Sequence, residues 1–290
     1  MSNDSRFSRV NDVLYAIHRD IAADLSGRNL CQIAAYSEQH FHRVFRQVTG
    51  ESLHGYILRT RLEHAANQLT FDLESPVVEV AQKVGFSSLS SFSRAFKSAF
   101  GTSPGRWRYG HRKPDLEPRC SDPEIIAAYQ RIHPLPLPVP MIEELAPRNV
   151  AYVRHLGYGR SIIHPWQVLR AWAALEKRSF TLQIGLHHSN PAWVELDKCR
   201  YVACIGIDQP VVRRGLVSSL TIPGGSHARF SLKGQYGELL PWISKMYGEW
   251  LAESDWKLRT TPAFAVYHRN HFIEEDEKFE LDFFLPVSLY

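Results

Sequence analysis

Residues 30–107 contain an internal duplication, and this feature limits most strongly what the chain can fold into. Sliding one copy over the other by 51 residues superposes seven pairs of identical or similar residues. These pairs are Phe41 on Phe92, Arg43 on Arg94, Phe45 on Phe96, Arg46 on Lys97, Gly50 on Gly101, Ser52 on Ser103 and Tyr56 on Trp107. A duplication of this size predicts one structural element used twice.

Each copy has the pattern of two short helices joined by a tight turn. The first helix is predicted at residues 30–35 and 80–84, and Ser37 and Ser88 suit the N-cap of the second. Phenylalanines at helical spacing give the second helix one apolar stripe, opposite a basic, amide-rich face. This is the pattern of a helix-turn-helix. Ordinary amphipathic helices with solvated charged faces are the alternative, but they do not account for Phe-x-Arg-x-Phe-[Arg/Lys] plus glycine in both copies.

On these residues the chain resembles the AraC/XylS transcriptional regulators, whose DNA-binding domain has two helix-turn-helix units bridged by a long helix. The similarity is carried by SEQHFHRVFRQVTGESLHGYILRTRLEHAANQL and VGFSSLSSFSRAFKSAFGTSPGRWR, and it covers about residues 8–110. It implies an all-α, homeodomain-like DNA-binding domain over residues 1–112. The bridging helix would span residues 53–69.

The resemblance also implies which residues face double-stranded DNA. Arginine can pair with guanine, glutamine with adenine, and an apolar side chain can contact a thymine methyl. The expected base-reading residues are Gln39, His42 and Arg43 in the first copy, and Leu89, Ser90, Ser91 and Arg94 in the second. Arg46, Lys97, Arg106 and Arg108 are expected to meet phosphates. Phosphate contact is an open alternative for Arg43 and Arg94 too. With two units in one chain, an asymmetric site would need no dimer.

Charge and composition agree with this interpretation without proving it. Residues 1–112 hold 14 Lys/Arg against 10 Asp/Glu, whereas residues 113–290 hold 20 of each, so the whole net charge of +4 lies in the first part. There is no apolar run of 18 residues and no signal-peptide pattern near the start, which predicts a cytoplasmic protein without membrane contact. Cysteines and histidines lack metal-ligand spacing, and no nucleophile elbow or phosphate loop is present, so no metal, cofactor or enzymatic activity is expected.

Residues 113–138 are predicted to be a connector. Residues 111–140 contain seven prolines, four of which alternate with other residues and favour an extended chain. A charged, exposed linker is therefore expected, with at most a short helix at residues 124–130.

Residues 139–290 contain a second, looser repeat. Residues 149–174 and 226–252 each predict a strand, a Gly-Tyr turn and an amphipathic helix. Two further strands follow each unit, at residues 180–186 and 199–207, and at 264–267 and 279–287. Two such pseudo-symmetric strand-helix-strand-strand repeats predict an α+β domain, with a ligand cleft between the halves.

This part of the chain resembles the GyrI-like effector-binding domains. The similarity rests on PRNVAYVRHLGYG, CRYVACIGI, TIPGGSHARFSLKGQYGEL and ELDFFLPV. A DNA-binding domain followed by such a sensor resembles the Rob-like architecture within the AraC/XylS family. The resemblance implies a transcriptional regulator that activates genes by contacting RNA polymerase.

The same resemblance implies a cationic or amphipathic aromatic effector, held by aromatic side chains around one buried carboxylate. The matching acid is Asp282, and a ligand cation would offset the cost of burying it. The first repeat has Val202 at that position, which leaves one carboxylate rather than two. The candidate wall residues are Tyr267, Trp242, Trp166 and Tyr236. The alternatives are that Asp282 pairs with an internal arginine or is solvated, and that the aromatics are plain core.

Two rival functions remain for the C-terminal half. It could be a hydrolase acting on a small electrophile, although no nucleophile-base pair is evident. It could also be a ligand-free module that docks a partner or stabilises the protein. An apolar cleft with no carboxylate at its floor would favour the docking module.

Overall fold

The computed structural model describes residues 3–110, 122–209, 211, 216–259 and 261–289, with residues 3–5 as backbone only. The chain forms two compact units, one built mainly on residues up to 112 and the other on the residues that follow. Within the described ranges, no helix is both long enough and apolar enough to cross a lipid bilayer.

The N-terminal unit is all-α, as predicted. Helices α2 and α3 form one helix-turn-helix, α5 and α6 form the other, and α4 joins them. A further helix, α1, precedes these units and ends at Arg19. The helices are α1 (Asn3–Arg19), α2 (Gly27–Ile33), α3 (Glu38–Thr49), α4 (Leu53–Phe71), α5 (Val77–Lys83), α6 (Leu89–Phe100) and α7 (Pro104–Gly110).

Equivalent residues in the two copies of the duplicated sequence make equivalent contacts in the core. Phe45 packs edge-to-face on Tyr56, with ring centroids 5.7 Å apart. At the equivalent positions Phe96 packs edge-to-face on Trp107 at 5.6 Å. Both phenylalanines are fully buried. Burying a phenylalanine side chain contributes about 1.5–3 kcal/mol, so the same aromatic pair stabilises each copy.

Gly50 and Gly101 end α3 and α6 in the left-handed conformation, with φ of 79° and 74°. A Cβ at either position would meet no atom within 4 Å, so a substitution there is opposed by backbone strain alone. We expect Gly50→Ala and Gly101→Ala each to lower the free energy of unfolding by about 1 kcal/mol, measured by urea denaturation. Gly105→Ala is the control, because Gly105 lies inside α7 with equal space, and it should stabilise slightly. Equal effects at all three positions would contradict this account.

The C-terminal unit is an antiparallel sheet with helices, built from α8 (Pro123–Ile132), β1 (Met141–Leu145), β2 (Arg148–Leu156), α9 (Ile163–Leu175), β3 (Gln183–His187), β4 (Arg200–Gly206), β5 (Ser218–Ile222), β6 (Gly225–Gln235), α10 (Leu239–Lys245), β7 (Trp256–Leu258), β8 (Ala263–Arg269) and β9 (Lys278–Leu289). Short 3-10 turns at Arg160–Ile162 and Leu196–Lys198 precede α9 and β4, and a π-helical turn at Met246–Leu251 continues α10.

The order of strands confirms the predicted two repeats. The sheet runs β1-β6-β9-β8-β3-β4-β2-β5, with β7 on β9. The first repeat is β2-α9-β3-β4 and the second is β6-α10-β8-β9, so the two meet at the central β3–β8 pair with mirrored order on either side. Equivalent loops from the two repeats are thereby related by a pseudo-two-fold axis.

The short helix allowed at residues 124–130 of the predicted connector is present, but the expectation that this segment is exposed is wrong. Residues 123–132 form α8, whose apolar stripe of Ile125, Ala128, Tyr129 and Ile132 is buried. The Tyr129 hydroxyl lies 2.9 Å from Ser244 Oγ. Since burial of this stripe stabilises the C-terminal unit, α8 is a part of that unit rather than an exposed linker. Residues 113–121 of the predicted connector lie outside the described residues.

Candidate functional site

Helix α3 has a buried apolar side, called here the buried frame, and an exposed polar side. Phe41, Val44 and Phe45 are at most 1% exposed. The four residues predicted to face DNA, Gln39, His42, Arg43 and Arg46, are all exposed. Arg43 Nη2 lies 3.1 Å from His40 Nδ1, a contact within the helix that leaves the guanidinium at the surface.

Helix α6 also has a buried apolar side and an exposed side, but its exposed side carries different residues. Leu89 is 44% exposed, and Ser90, Arg94 and Lys97 are exposed. Ser91 is half-buried, and its hydroxyl donates to the Ser88 carbonyl at 2.9 Å. The Ser91 hydroxyl is thus engaged in the helix cap, which makes it a weaker candidate for reading a base than the sequence suggested.

Four cations on these two faces have no carboxylate within 4.0 Å in the described part of the chain: Arg43, Arg46, Arg94 and Lys97. The arginines of α4 differ. Arg59 is paired with Glu51 and Glu63, and Arg61 donates to the carbonyls of Ile21 and Ala23. The cations on the outer faces of α3 and α6 are therefore not neutralised by a carboxylate in that part of the chain, unlike Arg59 of α4.

Arg108 was expected to contact a phosphate, and the structure contradicts this expectation. It is only 9% exposed, and its Nη2 donates to the Ser75 carbonyl at 2.6 Å. Arg108 thus ties α7 to the chain before α5 and is not available to a phosphate. Arg106, two residues earlier, is exposed as expected.

The C-terminal unit has a cleft of about 820 Å³ where the two repeats meet. Gly157–Arg160, the loop between β2 and α9, forms one side, and Tyr236, after β6, forms the other. These loops occupy equivalent places in the two repeats. A smaller deep end opens from the same loops, lined by Ile125, Tyr158, Gly159, Ile162, His187, Tyr236, Gly237, Leu239, Leu240, His271 and Phe272.

The mouth of the cleft is bridged by Arg160. Its guanidinium carbon lies 3.9 Å from the centre of the Tyr236 ring. Arg160 Nε donates to Glu277 at 2.7 Å, and Nη2 donates to Glu124 of α8 at 2.6 Å. Hydrogen bonds to Glu277 and Glu124 raise the pKa of Arg160, and those from Arg160 hold the pKa of Glu277 below its ordinary value. One charged group thus connects α8, the rim of the first repeat and the loop before β9.

Two histidines in the deep end carry polar atoms without a partner. Both ring nitrogens of His187 are buried, and neither has a hydrogen bond in the described residues. His271 is 4% exposed, and its Nδ1 is likewise without a partner there. Burial lowers the pKa of His187 to about 3 and that of His271, helped by the charge of His187, to about 3. Both imidazoles are therefore neutral at physiological pH and can each offer one donor and one acceptor.

Asp282 does not lie where the sequence suggested. Tyr267 pairs with Leu281 across β8 and β9, so the side chain of the next residue, Asp282, points to the opposite sheet face. There it accepts from Ser231 at 2.5 Å, lies 2.9 Å from His268 Nε2 and lies 3.5 Å from Arg229 Nη1. Burial opposes its ionisation, but these partners outweigh burial and lower its pKa. Asp282 thus has an arginine partner, as one of the alternatives expected, but Arg229 is half-buried and also pairs with Glu143 at 2.8 Å.

Three of the four predicted wall aromatics are core residues. Trp166 is fully buried and packs edge-to-face on Tyr267 at 5.8 Å, and Trp242 is 7% exposed. None of these three lines the cleft, whereas Tyr236 does. Sequence reasoning missed Tyr158, Arg160, His187 and His271. The Gly-Tyr turns shared by the two repeats were the available signal for the tyrosines.

Comparison with known proteins agrees with both units. Residues 30–109 match the family described as a helix-turn-helix domain, and residues 138–288 match the GyrI-like small molecule binding domain. The chain is 35% identical over 109 residues to the probable transcriptional regulator LumQ of Photobacterium leiognathi, covering 37% of this chain and 44% of LumQ. It is 35% identical over 102 residues to the HTH-type transcriptional activator AarP of Providencia stuartii, covering 35% of this chain and 74% of AarP.

The right origin-binding protein of Escherichia coli (strain K12) is a further relative, 32% identical over 99 residues, which cover 34% of each chain. This chain thus spans less than half the length of several relatives that it matches, LumQ among them. The chain belongs to the AraC/XylS family of transcriptional regulators, with a GyrI-like domain after the helix-turn-helix region, as in the predicted Rob-like architecture.

Proposed function

We propose that this protein binds duplex DNA through the outer faces of α3 and α6 and regulates transcription in response to a small molecule. The observation that carries the DNA-binding part is the set of four unpaired cations on two matched helices. DNA phosphates attract such charges, and neutralising them releases counterions. Because one chain supplies both helices, we propose that it binds an asymmetric site as a monomer.

Within this interface we assign two roles. Arg43 and Arg94 occupy equivalent positions on the exposed faces and read bases, together with Gln39, His42, Leu89 and Ser90. Arg46 and Lys97 lie one residue after the buried Phe45 and Phe96, and they contact phosphates, which position the protein without reading sequence.

Selection of bound DNA from a random pool, followed by fluorescence anisotropy on the selected site, tests these roles. Arg43→Ala and Arg94→Ala should each cost about 1–3 kcal/mol, or roughly 5- to 150-fold in Kd, and should relax the selected sequence at one position. Arg46→Ala and Lys97→Ala should weaken all sequences alike and reduce the salt slope by about one.

Arg170→Ala provides the matched control. Arg170 is an exposed arginine on α9 of the C-terminal unit, so its removal changes the net charge equally. We expect this variant to bind the selected site like the unaltered protein. If Arg43→Ala and Arg94→Ala weaken selected and random DNA equally, both arginines are phosphate contacts.

We further propose that the effector binds in the cleft between the two repeats and that the response is activation. The cleft is supported by its concave shape and by the unpartnered imidazoles. Activation is supported by the likeness to AarP, which is named a transcriptional activator. Contact with RNA polymerase is the corresponding partner proposal. Transcription in vitro from a promoter carrying the selected site, with purified RNA polymerase, would test it, and a fall in transcript on adding the protein would reverse the sign.

A further inference from the structure

We infer that Arg61 of α4 is a positioning residue that fixes the spacing between α3 and α6, and thereby makes binding depend on the distance between the two DNA half-sites that these helices contact. The inference rests on the proposed DNA-binding function and adds to it a determinant of specificity that acts without contacting a base. Three observations support it: the hydrogen bonds of Arg61, its packing against the turn of the second helix-turn-helix, and the groove in which it lies.

Arg61 holds the segment that leads into the first helix-turn-helix. Its Nε donates to the carbonyl of Ile21 at 3.1 Å, and its Nη2 donates to that of Ala23 at 3.3 Å. Both carbonyls lie between the end of α1 and the start of α2. Hydrogen bonds from a charged donor are roughly twice as strong as those between neutral groups, so these two bonds fix the guanidinium relative to this segment.

The same guanidinium packs against Gly85, in the turn between α5 and α6. A Cβ built on Gly85 would lie 2.7 Å from Nη2, 2.8 Å from Cζ and 2.9 Å from Nε of Arg61, so this approach requires that no Cβ be present. In the first copy Ala35 stands at the equivalent place with a φ of 51°, while Gly85 has a φ of 86°. Because a left-handed turn residue can thus carry a side chain, the contact with Arg61 is an independent reason for glycine at position 85.

Arg61 lies in a groove of about 750 Å³ that is lined by both helix-turn-helix units. Glu38 and His42 of α3 contribute to its lining, as do Gly85 and Phe86 of the second unit. Of the described helices, α4 packs against α3 and against α5 and α6, while α2 and α3 have at most slight contact with α5 and α6. The relative position of α3 and α6 therefore depends on α4 and on the contacts that Arg61 makes with both units.

Fluorescence anisotropy on the selected DNA site, with one base pair inserted or deleted between the half-sites, tests the inference. One base pair moves the half-sites by about 3.4 Å and rotates them by roughly 35°. We expect the unaltered protein to lose at least about 10-fold in affinity on either change, because α3 and α6 cannot follow it. Arg61→Met keeps a side chain of similar length without the guanidinium. It should reduce this loss to about 3-fold or less, while binding at the original spacing weakens by roughly 10-fold.

Gly85→Ala and Gly101→Ala form a matched pair for the same measurement. Both glycines are left-handed, with φ of 86° and 74°, but only a Cβ at residue 85 meets Arg61. We expect Gly85→Ala to relax the spacing preference as Arg61→Met does, and Gly101→Ala to keep it. In the double variant with Arg61→Met and Gly85→Ala the two effects should not add, because both act on one contact.

A direct phosphate contact by Arg61 would give a different result. Arg61→Met would then weaken binding at every spacing alike and reduce the salt slope by about one, and this outcome would overturn the inference. Equal relaxation in Gly85→Ala and Gly101→Ala would also contradict it. Equal binding of all spacings by the unaltered protein would refute the fixed spacing without any variant, and it would leave DNA binding intact. If the unaltered protein selects no DNA at all, the proposed function itself fails.

Discussion

Replacing Arg59 with alanine is expected to lower the free energy of unfolding of the N-terminal unit by about 3 kcal/mol. Arg59 Nη1 lies 2.6 Å from Glu63 Oε1, and its Nη2 lies 3.1 Å from Glu51 Oε1. Only 9% of the Glu63 side chain is exposed, so the substitution leaves a carboxylate buried without its cation. Urea denaturation of the full chain, followed by the helical circular dichroism signal, measures the loss.

Two further variants separate this effect from a general loss of charge. Lys83 pairs with Glu79 at 4.0 Å, with about half of each side chain exposed, so Lys83→Ala should change stability by about 0.5 kcal/mol or less. Adding Glu63→Gln to Arg59→Ala removes the stranded charge and should recover part of the loss. A loss below about 1 kcal/mol in Arg59→Ala would show that water replaces the guanidinium without penalty.

The second large effect is acid destabilisation of the C-terminal unit. In the folded state His187 and His271 have a pKa of about 3, whereas an unfolded histidine titrates near 6.5. Between these values the unfolded chain binds more protons, so stability is full above about pH 6.5 and falls as the pH is lowered. At about 1.4 kcal/mol per pKa unit, the two histidines together cost on the order of 5 kcal/mol by pH 4.5.

Urea denaturation at several pH values between 7.5 and 4.5 would measure this dependence, with the tryptophan signal reporting on the unit. His187→Phe and His271→Phe should each remove a large part of the slope, because phenylalanine does not titrate. Burial also lowers the pKa of His155 and of His227, so part of the slope should remain in both variants. His133→Gln, at an exposed position after α8, should leave the slope as it is. A flat profile in the unaltered protein would mean that the buried imidazoles become protonated without penalty.

The N-terminal unit was predictable because its signals are local. Helix periodicity, the serines at the helix starts and the terminal glycines all act within about a dozen residues. The duplication repeated each of these signals in the sequence, although only Ser88, and not Ser37, makes a side-chain cap hydrogen bond. The helix α8 could also have been found from its i, i+3, i+4, i+7 apolar spacing. The sequence allowed a short helix there, but the prolines on either side of that segment favoured an exposed connector, so its burial was not predicted.

Most of the ligand site could not be predicted from the sequence, because it depends on the register between strands that are far apart in the chain. Asp282 stands among apolar residues on both sides of its strand, and both faces of β9 are partly covered, so alternation did not show which face the carboxylate would take. Its partner Arg229 lies 53 residues away in sequence. His187 and His271 are separated by 84 residues and share no motif, so only the fold places them in one deep end.

The separation of buried frame from outer face in α3 and α6 has an evolutionary consequence. The phenylalanines and glycines that hold each helix are shared by the two copies. Apart from Arg43 and Arg94, the exposed residues expected to read bases differ between the copies, and they contribute little to stability. Substitutions on one outer face can therefore accumulate without unfolding the protein, while the other copy continues to bind DNA. A lineage with this architecture can shift one half of its recognised sequence at a time, and so acquire new target genes gradually.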